Sequence, residues 1–336
     1  MRKELVWAAV IGIIFGLIIA FGAWRISKRP GPTTAETTPT PAPVAGELKI
    51  TLDKPQEGDV LTQDTVSVSG ITKSLSWVTV SAEKGDYIVQ SQENGVFAQE
   101  VDLIAGVNWI RVSVFDSEGS QSVEKVLVVY SSSFEEKTLP SPTPSTVSTE
   151  SAIRQKVAEK VAEALNKPKA YIGTVTDIAD STIEIKTIDS EIKQVSTAEE
   201  EVSVINQKGT NNKAVKLTDI AIGDFIVAMG YVNSKSVLLA QRILITDPVT
   251  EPKITAAYGT VTATSKNSIT VTTFGDNQEK IISPTTKTDI EVYQEGKFIL
   301  AKFANIGAND LVIYIIDADS ETPSVRSVFI VEKAQG

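Results

Sequence analysis

A serine near a lysine is the closest this sequence comes to a nucleophile with a base. Its 336 residues include neither histidine nor cysteine, so a serine hydroxyl would have to give its proton to a lysine or a carboxylate. Ser81-Ala-Glu-Lys84 has the S-x-x-K spacing that achieves this on a helix. Here the stretch continues the alternating run from Trp77 to Ser81, and residues three apart on a strand point to opposite faces. Asp177 with Asp180, and Asp219 with Asp224, offer paired carboxylates for acid/base work, but both pairs fall in predicted turns, where an aspartate bonds its own backbone. Asp317-Ala-Asp319-Ser-Glu321 starts like a calcium loop, with hard oxygen ligands at alternate positions; where such a loop needs glycine at its sixth position, Thr322 stands. No glycine-rich phosphate cradle occurs. These residues read as non-enzymatic, with no cofactor and no metal site.

Charge narrows the partners. The chain carries 32 Lys+Arg against 42 Asp+Glu, a net charge of -10. Residues 47–131 hold 6 basic and 13 acidic side chains, and residues 169–250 and 251–336 hold 8 and 11 each. A phosphate backbone needs a basic track, which none of these segments supplies by balance, so nucleic acid is a disfavoured partner.

The elements that would hold such residues begin at a membrane. Leu5 to Trp24 is twenty residues without a charge, long enough as a helix to cross a hydrocarbon core of about 30 Å. Trp7 and Trp24 stand near its ends as interface anchors, flanked by Arg2 and Lys3 before and Arg25, Lys28 and Arg29 after. Ala20-Phe21-Gly22 would suit a signal-peptidase site, yet the apolar run exceeds the core of a cleaved signal, so the segment reads as a retained anchor at 5–24 after a cytoplasmic tail at 1–4. Ala8, Gly12, Gly16 and Ala20 recur every four residues and give a face on which a second helix could pack as a homodimer.

Beyond the anchor, 25–46 is a Pro/Thr-rich stalk and 132–150 a second Ser/Thr/Pro spacer; neither can assemble an apolar face. Between them, 47–131 shows short period-two runs such as Thr65 to Ser69, Trp77 to Ser81 and Trp109 to Phe115, the pattern of a β-sandwich of half-buried strands, and Asn94-Gly95 is a two-residue hairpin signal. Pro55-Gln-Glu-Gly58, Val68-Ser-Gly70, Gly95-Val-Phe97, Gly106-Val-Asn108-Trp-Ile110 and Val114-Phe-Asp116-Ser-Glu-Gly119 together resemble bacterial immunoglobulin-like domains of the group that includes the B domain of glucodextranase. The resemblance implies an immunoglobulin-like fold and leaves the ligand open. Glu118-Gly119-Ser120 departs from the Gly-Asn turn common in relatives, a change confined to a loop.

An amphipathic helix is expected over 151–168, with Ile153, Val157, Val161 and Leu165 on one stripe and Pro168 ending it. The remainder is duplicated at an offset of 86 residues: Gly173-Thr-Val-Thr176 repeats as Gly259-Thr-Val-Thr262, and Gly223-Asp224 as Asn309-Asp310. Glycine and asparagine both tolerate left-handed backbone, and an aspartate can bond nearby amides, so Gly223, Asp224, Asn309 and Asp310 read as structural turns. Two copies this short and strand-rich would bury their edges best as small barrels, 169–250 and 251–336. The pattern G-T-V, then Leu217-Thr-Asp-Ile220 and Gly223-Asp224 before two apolar strands, resembles a bacterial domain family of unknown function found in secreted and membrane-anchored proteins; in the second copy Phe303 replaces the Leu and Asn309 the Gly.

The whole reads as a mainly β, single-pass protein of the cell membrane, its carboxyl-terminal bulk outside: a binding or scaffold protein whose partners are membrane lipid and an envelope protein or glycan. A polysaccharide-binding accessory chain is the alternative, and surface capture of nucleic acid through the barrels a second one.

Overall fold

The computed structural model describes residues 48–134, 167–198, 202–209, 212–319 and 323–334. The anchor segment, with Trp7, Trp24 and the stripe of Ala8, Gly12, Gly16 and Ala20, lies outside the described residues, as do both Pro-rich spacers for nearly all their length and the expected helix up to residue 166. Among the described residues no helix is long and apolar enough to cross a membrane. The described chain is mainly β, with several sheets and two single 3-10 turns.

Residues 48–134 form β1 (Thr51–Lys54), β2 (Val60–Leu61), β3 (Thr65–Ile71), β4 (Trp77–Ser81), β5 (Asp86–Gln90), β6 (Val96–Asp102), β7 (Gly106–Phe115) and β8 (Gln121–Tyr130). A three-stranded sheet, β1-β3-β6, faces a five-stranded sheet, β2-β8-β7-β4-β5. The alternation of valine with polar residues puts Val68, Phe97 and Val101 of one sheet against Val78, Val80, Ile110, Val112, Val114 and Val128 of the other. Each such side chain taken from water stabilises the fold by about 1.5–3 kcal/mol. Gly95 has φ +81 and Gly95 N donates to Gln92 O at 2.8 Å, so Asn94-Gly95 lies in a tight turn. It is not a hairpin between paired strands: β5 pairs with β4 and β6 with β3, so the turn carries the chain from one sheet to the other.

The first copy is β9 (Pro168–Ala179), β10 (Thr182–Thr187), β11 (Ile192–Ser196), β12 (Ser203–Asn206), β13 (Lys213–Val215), β14 (Phe225–Val232) and β15 (Val237–Thr246). Its order is β11-β10-β9-β14-β15-β12-β13, and β11 also runs parallel to β15 from Gln194↔Val237 to Ser196↔Leu239, so the pairing returns on itself around Val175, Ile183, Ile185, Ile226 and Leu238. The second copy is β16 (Ile254–Thr264), β17 (Ile269–Thr273), β18 (Glu279–Ile282), β19 (Asp289–Gln294), β20 (Lys297–Leu300), β21 (Leu311–Asp317) and β22 (Ser324–Glu332), in the same order but without the pairing of β18 to β22. The 86-residue offset holds in atomic detail. Thr176 Oγ1 donates to Glu184 O, as Thr262 Oγ1 does to Thr270 O. The 3-10 turns at Leu217–Asp219 and Phe303–Asn305 are closed by Lys216 N to Asp219 Oδ2 at 2.8 Å and Lys302 N to Asn305 Oδ1 at 2.7 Å.

Candidate functional site

The second face of the five-stranded sheet is not left to water. On β7 and β8, Trp109, Leu127 and Val129 pack on Ala170, Ile172, Val227 and Met229 of the first copy. Ile88 and Phe115, with Trp77 beside them, pack on Ala256, Tyr258, Ile313, Ile315 and Phe329 of the second. Ala170, Ile172, Val227 and Met229 precede Ala256, Tyr258, Ile313 and Ile315 by the repeat offset of 86 residues, so both copies turn the same face onto one sheet. The strands of that sheet are therefore covered on both faces, where alternation suggested one wet side. The missed signal was the pair of large aromatics, Trp109 and Phe115, on the polar phase of β7.

Polar groups fix each junction. At the first copy, Gly58 O accepts from Ala170 N at 2.7 Å, and Lys169 Nζ donates to Glu57 O at 2.9 Å and reaches Asp59 Oδ1 at 2.7 Å, while within the sandwich Glu57 Oε2 accepts from Leu127 N at 2.9 Å. Gly58 has φ +71, and a Cβ there would stand 2.7 Å from Ala170 O, so only glycine admits this approach. Burial pushes the Glu57 carboxyl up, with the Leu127 amide opposing. At the second copy, Asp86 Oδ2 accepts from Ser327 Oγ at 2.8 Å and from Arg326 Nε at 3.2 Å, while Arg326 Nη2 donates to Ala82 O at 2.7 Å. The Asp86 side chain is 1% exposed, and burial raises its pKa against the pull of Arg326 and Ser327. Burial also pushes Glu83 up, Arg326 opposing and Asp317 and Asp319 adding to the rise.

Between the junctions, a cleft is lined by Ser81, Trp109, Arg111, Lys125, Glu251 and Ile254. Glu251, on the connection between the copies, takes Arg111 Nη1 at 3.2 Å and Lys125 Nζ at 2.6 Å, and Lys125 lies 5.6 Å over the Trp109 ring. Its volume of about 10 Å³ is roughly what one water needs. The cleft pins the connection between the copies and is too small for a ligand.

The residues singled out from sequence are dispersed. Ser81 is buried on β4, while Lys84 turns outward to Asp102 at 3.9 Å. Asp177 and Asp180 are exposed, and Asp180 is in a left-handed turn at φ +46. Asp317 Oδ1 accepts from Asp319 N, and Asp319 Oδ2 from Lys253 N, both at 2.9 Å; Glu321 lies outside the described residues. Among the described residues no group of three or more carboxylates is placed to hold a metal. Gly223 has φ +94 and Asn309 φ +67. Behind them Asp224 Oδ2 accepts from Ala221 N at 2.9 Å and Oδ1 takes Lys208 Nζ at 2.6 Å, whereas Asp310 accepts from Gly307 N at 2.6 Å, Ala334 N at 3.0 Å and Lys333 Nζ at 2.7 Å. Lys208 holds the Asp224 carboxyl below the usual range, against a rise from partial burial.

No protein family matches the sequence, and no curated protein does. Among solved structures the chain is similar to a multidomain protein with nucleic acid binding domains from Streptococcus pneumoniae, at 14% identity and TM-score 0.14 over 50% of this chain and 46% of that one, so the match spans under half of that protein. It is similar to Drosophila Unr CSD456 at 13% identity and TM-score 0.19, over 85% of this chain and 100% of that one. A 1.5-MDa bacterial ice-binding adhesin matches at 12% identity and TM-score 0.20, over 84% and 96%. Likenesses this distant carry no argument about function.

Proposed function

We propose that this chain is a membrane-anchored, surface-displayed scaffold or binding protein of a bacterial envelope, built from an immunoglobulin-like sandwich and two small barrels of one family. The observation that carries the reading is the shared packing face: one sandwich sheet takes the equivalent faces of both copies, which fixes the spacing between them. That arrangement spends apolar surface on rigidity and leaves strand edges and loops on the far sides as contact surfaces. The uncharged run from Leu5 to Trp24 supports the anchor, and the acidic balance of every domain supports a protein or glycan partner over a nucleic acid. Protease treatment of intact cells, followed by detection of the carboxyl end, tests the reading. Loss of the full-length chain while cytoplasmic proteins survive is expected; a chain that stays intact until the cells are lysed overturns it.

A further inference from the structure

The two copies differ most sharply at one sheet edge. In the first, β13 ends the sheet with Lys213 and Ala214; in the second, β20 ends it with Ile299 and Leu300 at the equivalent positions. The same offset replaces Gln207 and Asn212 by Tyr293 and Phe298. Leu300 is 82% exposed and Ile299 38%. Lysine on an edge strand deters strand addition; an apolar edge invites it.

The free hydrogen-bonding groups of β20 follow from its turn. Glu295 and Gly296, at φ +51 and +83, make a two-residue hairpin loop that places Gln294 opposite Lys297. Hydrogen-bonded and non-bonded pairs then alternate, so Ile299 bonds inward to Val292 and Ala301 inward to Ile290, the latter seen as Ala301 N to Ile290 O at 2.7 Å. Phe298 and Leu300 therefore turn their N–H and C=O outward, away from β19, where no described strand lies. A two-fold axis through Ile299 sets Phe298 opposite Leu300 of the second copy and Leu300 opposite its Phe298. Each pair exchanges main-chain hydrogen bonds in both directions, and the most exposed side chain of the edge gains an aromatic neighbour. In the same register the first copy of the repeat would set Lys213 against Lys213, a like-charge clash that keeps that edge monomeric. Phe298 is already braced by Trp77 at 5.6 Å and Tyr293 at 5.1 Å, so the edge continues the apolar junction with the sandwich.

We infer that the protein forms a two-fold dimer by antiparallel pairing of β20 with β20 of a second copy, centred on Ile299.

The chain has no cysteine, which makes the test direct. Full-length Ile299→Cys in detergent should form a covalent dimer on mild oxidation, because a non-bonded antiparallel pair holds its Cα atoms within disulfide reach. Leu300→Cys should not, since its counterpart is displaced along the partner strand. Leu300→Lys, at a site too exposed to disturb folding, should convert the wild-type dimer to monomer with an unchanged circular dichroism spectrum, and with a melting temperature that no longer rises with protein concentration. A wild-type chain that is monomeric at micromolar concentration overturns the proposal. So does a dimer that survives Leu300→Lys and is lost instead on Gly12→Ile with Gly16→Ile, which would assign it to the membrane helix, or on Ile281→Lys, which would assign it to the β18 edge.

Discussion

Arg326 on β22 meets Asp86 on β5 with its Nε 3.2 Å from the carboxylate, an ion pair that crosses from the sandwich to the second copy with the aspartate almost wholly buried. Removing one partner of such a pair leaves the other uncompensated, which costs about 3–5 kcal/mol. Arg326→Met should therefore destabilise the junction by about that much near neutral pH. The sign of the pH dependence follows from burial. The folded-state pKa of Asp86 is raised above 3.8, so the stability this group contributes is present below that value and is lost as pH rises through the folded pKa. In Arg326→Met the rise is larger, and the defect should shrink as the buffer is taken from about pH 7 to about pH 4. Denaturant melts at the two pH values, read by circular dichroism, check this; a defect of equal size at both would refute it.

A second titration lies at the alkaline end. Tyr314, on β21 inside the core of the second copy, is 3% exposed, and burial pushes its phenol up to about 12 from 10.0. An unfolded chain would release that proton from pH 10, the folded one only near 12. Stability attributable to Tyr314 is thus full below pH 10 and falls by about 1.4 kcal/mol per pH unit between the two values. Tyr314→Phe should remove that slope. The difference between the two proteins, measured as urea midpoints from pH 9 to pH 12, should grow in the mutant's favour.

Much of this architecture was legible because turns and periods are local. The offset between Gly173-Thr-Val-Thr176 and Gly259-Thr-Val-Thr262 marks paired strands that hold the same hydrogen bonds in each copy, and Trp77 to Ser81 is β4 to the residue. β11, β12 and β13 and their counterparts were hidden in a variable middle because three to six residues carry too little period to read. The module junctions were illegible for another reason: Arg111 and Ser113 share the outer phase of β7 with Trp109 and Phe115, so the strand looks amphipathic until two other modules cover it. Asp86 and Arg326 are 240 residues apart, and no spacing rule joins them.

The glycine of the repeated G-T-V pattern is required by contact. A Cβ at Gly173 would collide with the carbonyl oxygen of Lys186, and one at Gly259 with that of Thr272, the backbone of the neighbouring strand in each copy. Backbone cannot rotate away as a side chain can, so alanine must push the strands apart. Gly173→Ala and Gly259→Ala should each cost about 1–3 kcal/mol, the range for overpacking, while alanine at the open Gly296 turn should act only through its φ. Thermal melts of the three variants test the ordering.

The two turn aspartates should differ in what they contribute, although sequence makes them equivalents. Asp310 is 1% exposed, with two amides and Lys333 on its carboxylate; Asp224 has one amide and Lys208, and its side chain is 17% exposed. Truncation at Asp310 empties the buried carboxylate position and strips the part-buried Gly307 and Ala334 amides and the half-exposed Lys333 ammonium of their acceptor, whereas at Asp224 a single amide and Lys208 lose theirs. Asp310→Ala should therefore destabilise by about 1 kcal/mol more than Asp224→Ala, read as denaturant midpoints at neutral pH. Asp224 also carries a pH response. Because Lys208 holds the Asp224 carboxyl below its usual range, its contribution is present above the unfolded pKa and lost as pH falls through the folded value. Asp224→Ala should accordingly approach wild-type stability in acid, and equal losses for the two variants at neutral pH would show that burial does not govern this turn.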